Sequence, residues 1–138
     1  MKEDFDKLLE FWKNNEGTGK LFNFEFIDYK KGYLKLGAEF SSLTFNPNKN
    51  VQGGQMTSML DDATSILLVY ESGGKLYPNS TNLHSIHHRP LLDGKVTVLA
   101  KIIHQGKNIA SIKGEIYNSE NKLATTLMHT VFLHKKIK

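Results

Sequence analysis

The residues of this chain best suited to chemistry lie close together: Gln52-Gly53-Gly54, then Asp61 and Asp62 inside an otherwise apolar stretch that runs to Tyr70. Glycines at the mouth of a helix let a ligand approach the free N–H groups of its first turn, where the helix dipole favours negative charge. That is chemistry for a phosphate or for a developing oxyanion. A flexible loop end that happens to precede a helix would carry the same glycines, so the pair alone leaves both readings open. A carboxylate further along such a helix can act as a base or a nucleophile toward a carbonyl held nearby.

The helix that must carry these groups is expected from Gly53 to about Glu71. Met56, Met59, Leu60, Ala63, Leu67 and Tyr70 form one stripe at helical spacing, and Ile66, Leu68 and Val69 widen it. At about 100° per residue from Met56, Asp61 falls near 140° and Asp62 near 240°, both off the stripe. Asp62 reads as a solvated carboxylate. Asp61 shares its flank with Thr57, Ser65 and Leu68, a half-apolar surface on which a carboxylate is partly desolvated and more basic. Ser72-Gly73-Gly74 ends the helix.

Around it, Phe5, Leu8, Leu9 and Trp12 mark a short amphipathic helix ended by Gly17 and Gly19. Leu21 to Tyr29 and Tyr33 to Phe40 read as strands joined through Lys30-Lys31-Gly32, and Ser41 to Asn50 as a loop. Asn79 to His88, Lys95 to His104, Asn108 to Tyr117 and Lys122 to Leu133 read as four more strands. Their connections are Arg89-Pro90 with a turn at Asp93-Gly94, Gln105-Gly106-Lys107, and Asn118 to Asn121. Helix, two strands, long helix, four strands predicts an α+β chain in which an antiparallel sheet curls around one central helix, with a short N-terminal helix beside it.

The 138 residues are 39% hydrophobic and 23% charged, which suits a single domain over 1–138 with a real core. No cysteine is present, so disulfides, thiol nucleophiles and thiolate metal sites are out. The charged N-terminus has no signal-peptide pattern, and no apolar run approaches the roughly 20 residues of a membrane span, so a cytoplasmic protein is expected. The net charge of +4 owes part of its excess to His134-Lys135-Lys136-Ile137-Lys138. With no basic stripe elsewhere, nucleic acid is not expected as a partner, and a phosphorylated small molecule is served equally well by this charge.

The pattern Asn46-Pro47, Gln52-Gly53-Gly54 and Asp61 nine residues after Gln52 resembles the hotdog-fold thioesterases of the phenylacetate-degradation (PaaI-like) type. Their motif is commonly His-Gly-Gly followed by a helix bearing a catalytic Asp at this spacing. Ser80-Thr81-Asn82-Leu83 to Arg89-Pro90 resembles that family's third strand and its ending, and Gly106-Lys107 its Gly-Arg hairpin. The likeness runs from about residue 20 to 133.

The resemblance implies an acyl-CoA thioesterase with water as second substrate and no cofactor. It makes the Gly53 N–H the oxyanion donor and Asp61 the base or nucleophile. Asn46 and Ser80 would attend the attacking water, and Gln52, Gly54, Arg89 and Lys107 would bind substrate. Gln52 stands where the family's His is usual, and it cannot shuttle a proton near neutral pH. A catalytically weak acyl-thioester-binding protein is therefore the alternative. A hotdog dehydratase would need an Asp/His pair on a loop and helix, which the sequence does not display.

His84, His87 and His88 invite a metal reading. Alternation on a strand sends His87 and His88 to opposite faces and leaves His84 far from His88, so no metal is expected and they read as surface or interface residues. A Gly-x-Ser-x-Gly elbow is absent, which argues against a serine hydrolase.

Gly53 and Asp61 are eight residues apart on one helix, roughly 12 Å along its axis. One carbonyl cannot meet both in a single chain. A second, antiparallel helix would bring its own Asp61 opposite, so a homodimer with shared sites is expected. The resemblance adds a pairing of dimers into a homotetramer.

Overall fold

The structure, a computed structural model, describes residues 1–15, 17–92 and 94–135. Helix α1 spans Lys2–Asn14 and the central helix α2 spans Gly53–Glu71. Six strands follow the expected order: β1 Glu25–Lys30, β2 Tyr33–Phe40, β3 Leu76–His87, β4 Gly94–Gln105, β5 Ile109–Tyr117 and β6 Leu123–Lys135. They form one antiparallel sheet in the order β1-β2-β4-β5-β6-β3. α2 touches β2 through β6, so the sheet curls round it, and this is the expected hotdog arrangement.

The core forms because one face of each strand and the stripe of α2 are apolar. Met59, Leu60, Ala63, Ile66 and Leu67 are fully buried, and each large side chain among them contributes roughly 1.5–3 kcal/mol. Gly114 on β5 sets how near the helix lies. A Cβ there would meet the Leu60 side chain at 3.1 Å and the Thr64 methyl at 3.3 Å, so its absence lets α2 settle onto the sheet. Gly73 and Gly74, at φ 65° and 79°, end α2, with the Gly74 N–H donating to the Val69 carbonyl. α1 docks through Phe5, whose ring stacks on Tyr70 at 3.7 Å and on Phe26 at 4.8 Å between centroids.

Two strand starts and one loop differ most from expectation. β1 starts at Glu25 rather than Leu21, because Asn23 takes a left-handed φ of 48° that no strand continues. β3 starts at Leu76 and includes Pro78, which is tolerated because β3 is an edge strand paired only with β6. The loop after β2 contains a 3₁₀ turn at Ser42–Thr44. Of the expected turn at Asp93-Gly94, Asp93 lies outside the described residues, as do Lys136, Ile137 and Lys138 of the basic tail.

One irregularity in β3 matters for the site. Ser80 pairs with Val131 and Asn82 with Thr130, leaving Thr81 as an extra residue in a β-bulge. Before the bulge, Pro78 and Ser80 oppose Leu133 and Val131, on the buried face of β6. After it, Leu83, Ser85 and His87 oppose His129, Leu127 and Thr125, the same face. The bulge therefore turns both Ser80 and His87 toward α2.

Candidate active site

Asp61 lies midway along α2, its side chain 38% exposed in the single chain. Its Oδ1 is 3.3 Å from Ser80 Oγ and 3.5 Å from His129 Nε2. His129, on β6, is fully buried, and its two ring nitrogens are both occupied: Nε2 lies 2.7 Å from Ser80 Oγ and Nδ1 lies 2.7 Å from Thr64 Oγ1. Thr64 sits one turn after Leu60, on the helix face that Gly114 admits to the sheet.

The network assigns the histidine tautomer. The Thr64 hydroxyl donates to the Leu60 carbonyl at 2.7 Å, so toward His129 it can only accept, and Nδ1 carries the proton. Nε2 of the neutral ring is then an acceptor 2.7 Å from Ser80 Oγ, and the Ser80 hydroxyl also donates to Asp61 Oδ1 at 3.3 Å. Burial holds His129 below the ordinary 6.5, with the Asp61 charge opposing, so the neutral ring is the form present near pH 7. Ser80 thus shares one proton between His129 Nε2 and Asp61 Oδ1, and its lone pairs remain for a water beside Asp61. A water there would find two acceptors, a carboxylate and a hydroxyl oxygen.

Sequence reasoning missed His129. The signal was present: it occupies an inward position among Leu127, Val131 and Leu133, where a polar residue needs partners.

At the mouth of α2, Gln52 is the N-cap, and its side chain makes no capping bond. The Gly53 and Gly54 N–H groups belong to the first turn, where no intrahelical acceptor exists. Gly53 has a neighbour the sequence did not suggest. A Cβ on it would stand 3.1 Å from His87 Nε2. His87 is held by Thr125 Oγ1, 3.1 Å from its Nδ1, and its pKa is lowered by burial and then by the His88 charge. It is thus an exposed histidine, as expected, that also borders the glycine turn.

Asn46 closes the loop that leads into α2. Its Oδ1 accepts from the N–H groups of Asn48 at 3.0 Å and Asn50 at 3.2 Å, which leaves its amide NH₂ available. Arg89 is exposed, and its Nε donates to the Leu123 carbonyl at 2.9 Å. Lys107 is exposed on the β4–β5 hairpin. The structure brings Ser80 to Asp61. Within one chain, no hydrogen bond among the described residues joins Asp61 to Gly53, Asn46, Arg89 or Lys107.

Asp62 corrects the sequence reading. It is not a solvated outer-face acid. Its Oδ2 accepts from the Thr18 hydroxyl at 2.8 Å, and the Trp12 indole N–H donates to it as well. Burial pushes its carboxyl up to about 6, against the two hydrogen bonds and with help from the Asp61 charge. The helical wheel placed it correctly off the sheet, but α1 and the 3₁₀ turn Thr18–Lys20 cover that side.

The pattern of the Thioesterase superfamily matches residues 48–125, more than half of the chain, and includes the glycine turn, all of α2 and all of β3. The chain belongs to the Thioesterase superfamily. No curated protein matches it in sequence. Among solved structures this superfamily member is similar to a thioesterase from Haemophilus influenzae, with TM-score 0.83 and 20% identity over 100% of this chain and 93% of the other. Zebra fish thioesterase superfamily member 2 gives TM-score 0.85 and 14% identity, covering 97% and 99%. A hypothetical thioesterase protein with coenzyme A from Streptococcus pneumoniae gives 0.78 and 16%, covering 96% and 98%. At these identities the likeness establishes the shared fold. Among the described residues no helix is long and apolar enough to cross a membrane.

Proposed function

We propose that this thioesterase-superfamily protein hydrolyses an acyl-CoA thioester to the free acid and CoA, as a PaaI-like enzyme with Gln52 in place of the usual histidine. The observation that carries the reading is the hydrogen bond from Ser80 to Asp61, with His129 Nε2 as the second acceptor beside the same hydroxyl.

A water held between the Asp61 carboxylate and Ser80 Oγ directs its protons at the two acceptors and its free lone pair outward. Attack on the thioester carbonyl transfers one proton to Asp61, which acts as general base. The oxygen that becomes negative is met by the Gly53 N–H at the positive end of a partner's α2, and the Asn46 amide attends the water. Such a donor is worth roughly 2.7–4 kcal/mol in transition-state stabilisation. Collapse of the tetrahedral intermediate expels the CoA thiolate.

The Streptococcus pneumoniae relative holds coenzyme A, which supports CoA as the carrier here. Arg89 and Lys107 are exposed cations suited to its phosphates, and Gln52 and Gly54 border its approach to the carbonyl. The antiparallel homodimer supplies Gly53 and Asp61 from different chains, and two such dimers assemble as a homotetramer. The place of action is the cytoplasm.

The deciding experiment follows free-thiol release from a panel of acyl-CoAs by wild type, Asp61→Asn and Asp62→Asn. Wild-type turnover, a loss of roughly 100-fold or more in Asp61→Asn and a small change in Asp62→Asn are expected. Tight acyl-CoA binding with no turnover would replace the enzyme by a binding protein. Greater damage from Asp62→Asn on every substrate would move the base to the other carboxylate.

A further inference from the structure

β3 runs along one flank of α2 in the opposite direction. Ser80 reaches Asp61, the Ser85 hydroxyl lies 2.6 Å from that of Thr57 one turn earlier, and His87 arrives at Gly53. The proposed hydrolysis uses the first of these contacts and leaves His87 idle. Yet its Nε2 lies 3.1 Å from the place a Gly53 Cβ would take, beside the proposed oxyanion donor.

The ring's own hydrogen bonds decide what His87 offers there. The buried Thr125 hydroxyl donates to Met56 Sδ at 3.2 Å, and its oxygen lies 3.1 Å from His87 Nδ1. One tautomer completes both contacts: Nδ1–H donates to Thr125, and Thr125 turns its own proton to the sulfur. Nε2 is then a bare acceptor. Burial, with the neighbouring His88, lowers the ring's pKa, so this neutral form is the one present near pH 7. Among the described residues nothing donates to Nε2.

An acceptor here does not assist the Gly53 N–H with a developing oxyanion, because lone pairs would face each other. It calls instead for a donor on the substrate, close to the reacting carbonyl. The thiol arm of CoA carries one, an amide N–H separated from the sulfur by two methylenes. With the carbonyl held at the Gly53 N–H, that short link spans the gap to a ring beside the same glycine.

We propose that His87 is a binding residue for the thiol arm: Nε2 accepts the first amide N–H beyond the reacting sulfur and so sets the thioester carbonyl on Gly53. His87 thereby selects the thiol, not the acyl group. The proposal rests on the thioesterase reading for its substrate, but the contact can be tested without turnover.

Hexanoyl thioesters of N-acetylcysteamine and of 2-acetoxyethanethiol differ at one position of the arm, N–H against O. Their hydrolysis is compared by thiol release in wild type, His87→Ala and His87→Gln, each checked for folding by circular dichroism. Wild type should favour the amide roughly five- to tenfold in kcat/KM, mostly through KM, the effect of one hydrogen bond. The preference should vanish in His87→Ala and return in part in His87→Gln, whose side-chain carbonyl accepts again. If His87→Ala does not fold, His87→Phe, which keeps a ring and loses the acceptor, serves with the same expectation. Hydrolysis of both thioesters without an amide preference, or a preference that survives loss of the acceptor, overturns the proposal and leaves the thioesterase reading standing.

The contact itself is read from the matching S-acetonyl thioethers, which contain no thioester, in protein labelled with ¹⁵N-histidine. The His87 signals are those lost in His87→Gln. The amide thioether should move the bare Nε2 resonance upfield, as hydrogen bonding to an unprotonated ring nitrogen does, and the ester thioether should not. That result without hydrolysis of any acyl-CoA keeps the contact and ends the thioesterase reading. Equal responses to the two thioethers, no response to either included, overturn the contact.

Discussion

His129 Nε2 and Ser80 Oγ lie 2.7 Å apart across the β3–β6 pair, and the proton between them belongs to the serine because Thr64 fixes the other side of the ring. This makes His129 a positioning residue in the proposed reaction. His129→Gln keeps an acceptor for Ser80 and removes the titrating group. We expect kcat to fall about tenfold with KM little changed. The wild-type rate should decline as pH drops below 6.5, because a protonated ring would return the Ser80 proton toward Asp61. In His129→Gln that decline should be lost or displaced, and an unchanged pH–rate profile would remove the histidine from the scheme.

One buried base, His129, and one largely desolvated acid, Asp62, predict opposing trends in stability. His129 has a lowered folded pKa, so the unfolded chain gains the extra proton below 6.5 and stability falls as pH drops through that region. Asp62 has a folded pKa raised to about 6, so the native state holds the extra proton and stability falls as pH rises from about 4 through 6. Two units correspond to on the order of 2–3 kcal/mol. Thermal melts of Asp62→Asn from pH 4 to 8 should therefore show a gain over wild type that grows with pH. A gain largest at pH 4 would have the wrong sign and would place Asp62 in solvent.

Gly53 and His87 form a steric pair. With His87 Nε2 only 3.1 Å from an added Cβ, Gly53→Ala forces the ring or the helix mouth to move. Activity should fall at least tenfold, because a misplaced N–H no longer meets the oxyanion. Adding His87→Ala should restore part of it. A double-mutant cycle measured by kcat/KM decides the matter, and strictly additive losses would mean that the ring and the glycine do not interact.

The shared site can be tested by complementation. Asp61→Ala and Gly53→Val are prepared separately and co-refolded, with mixed dimers confirmed by mass. A mixed dimer holds one doubly damaged cleft and one intact cleft, so activity should reappear from two nearly dead parents. Confirmed mixed dimers that stay inactive would contradict a site built from two chains.

Much of this is legible in the sequence alone. The α2 boundaries followed from the glycines at each end and the stripe between them, and the strand order from turn chemistry. What stayed hidden was set by contacts distant in sequence. Asp62 was misread because a helical wheel reports angle, while its desolvation comes from Trp12 and Thr18, more than forty residues away. His129 escaped because its partners Thr64 and Ser80 lie on other elements. His87 was placed on a strand face correctly, but nothing local told which face meets Gly53.

The bulge at Thr81 has a consequence for which changes of length β3 can survive. Residues 78 and 80 face the helix on even numbers, and residues 83, 85 and 87 face it on odd ones, so the strand runs in two phases joined at one residue. Removing Thr81 would merge the phases. Without it the alternation would run Ser80 in, Asn82 out, Leu83 in, so Ser80 would still face Asp61, and Ser85 and His87 would still face Thr57 and Gly53. Residue 81 should therefore accept many side chains and tolerate deletion, whereas deletion of His84, which leaves the bulge in place, should turn Ser85 and His87 away from the helix. In this strand it is the place at which a residue is lost, more than its kind, that decides whether the two halves stay in step.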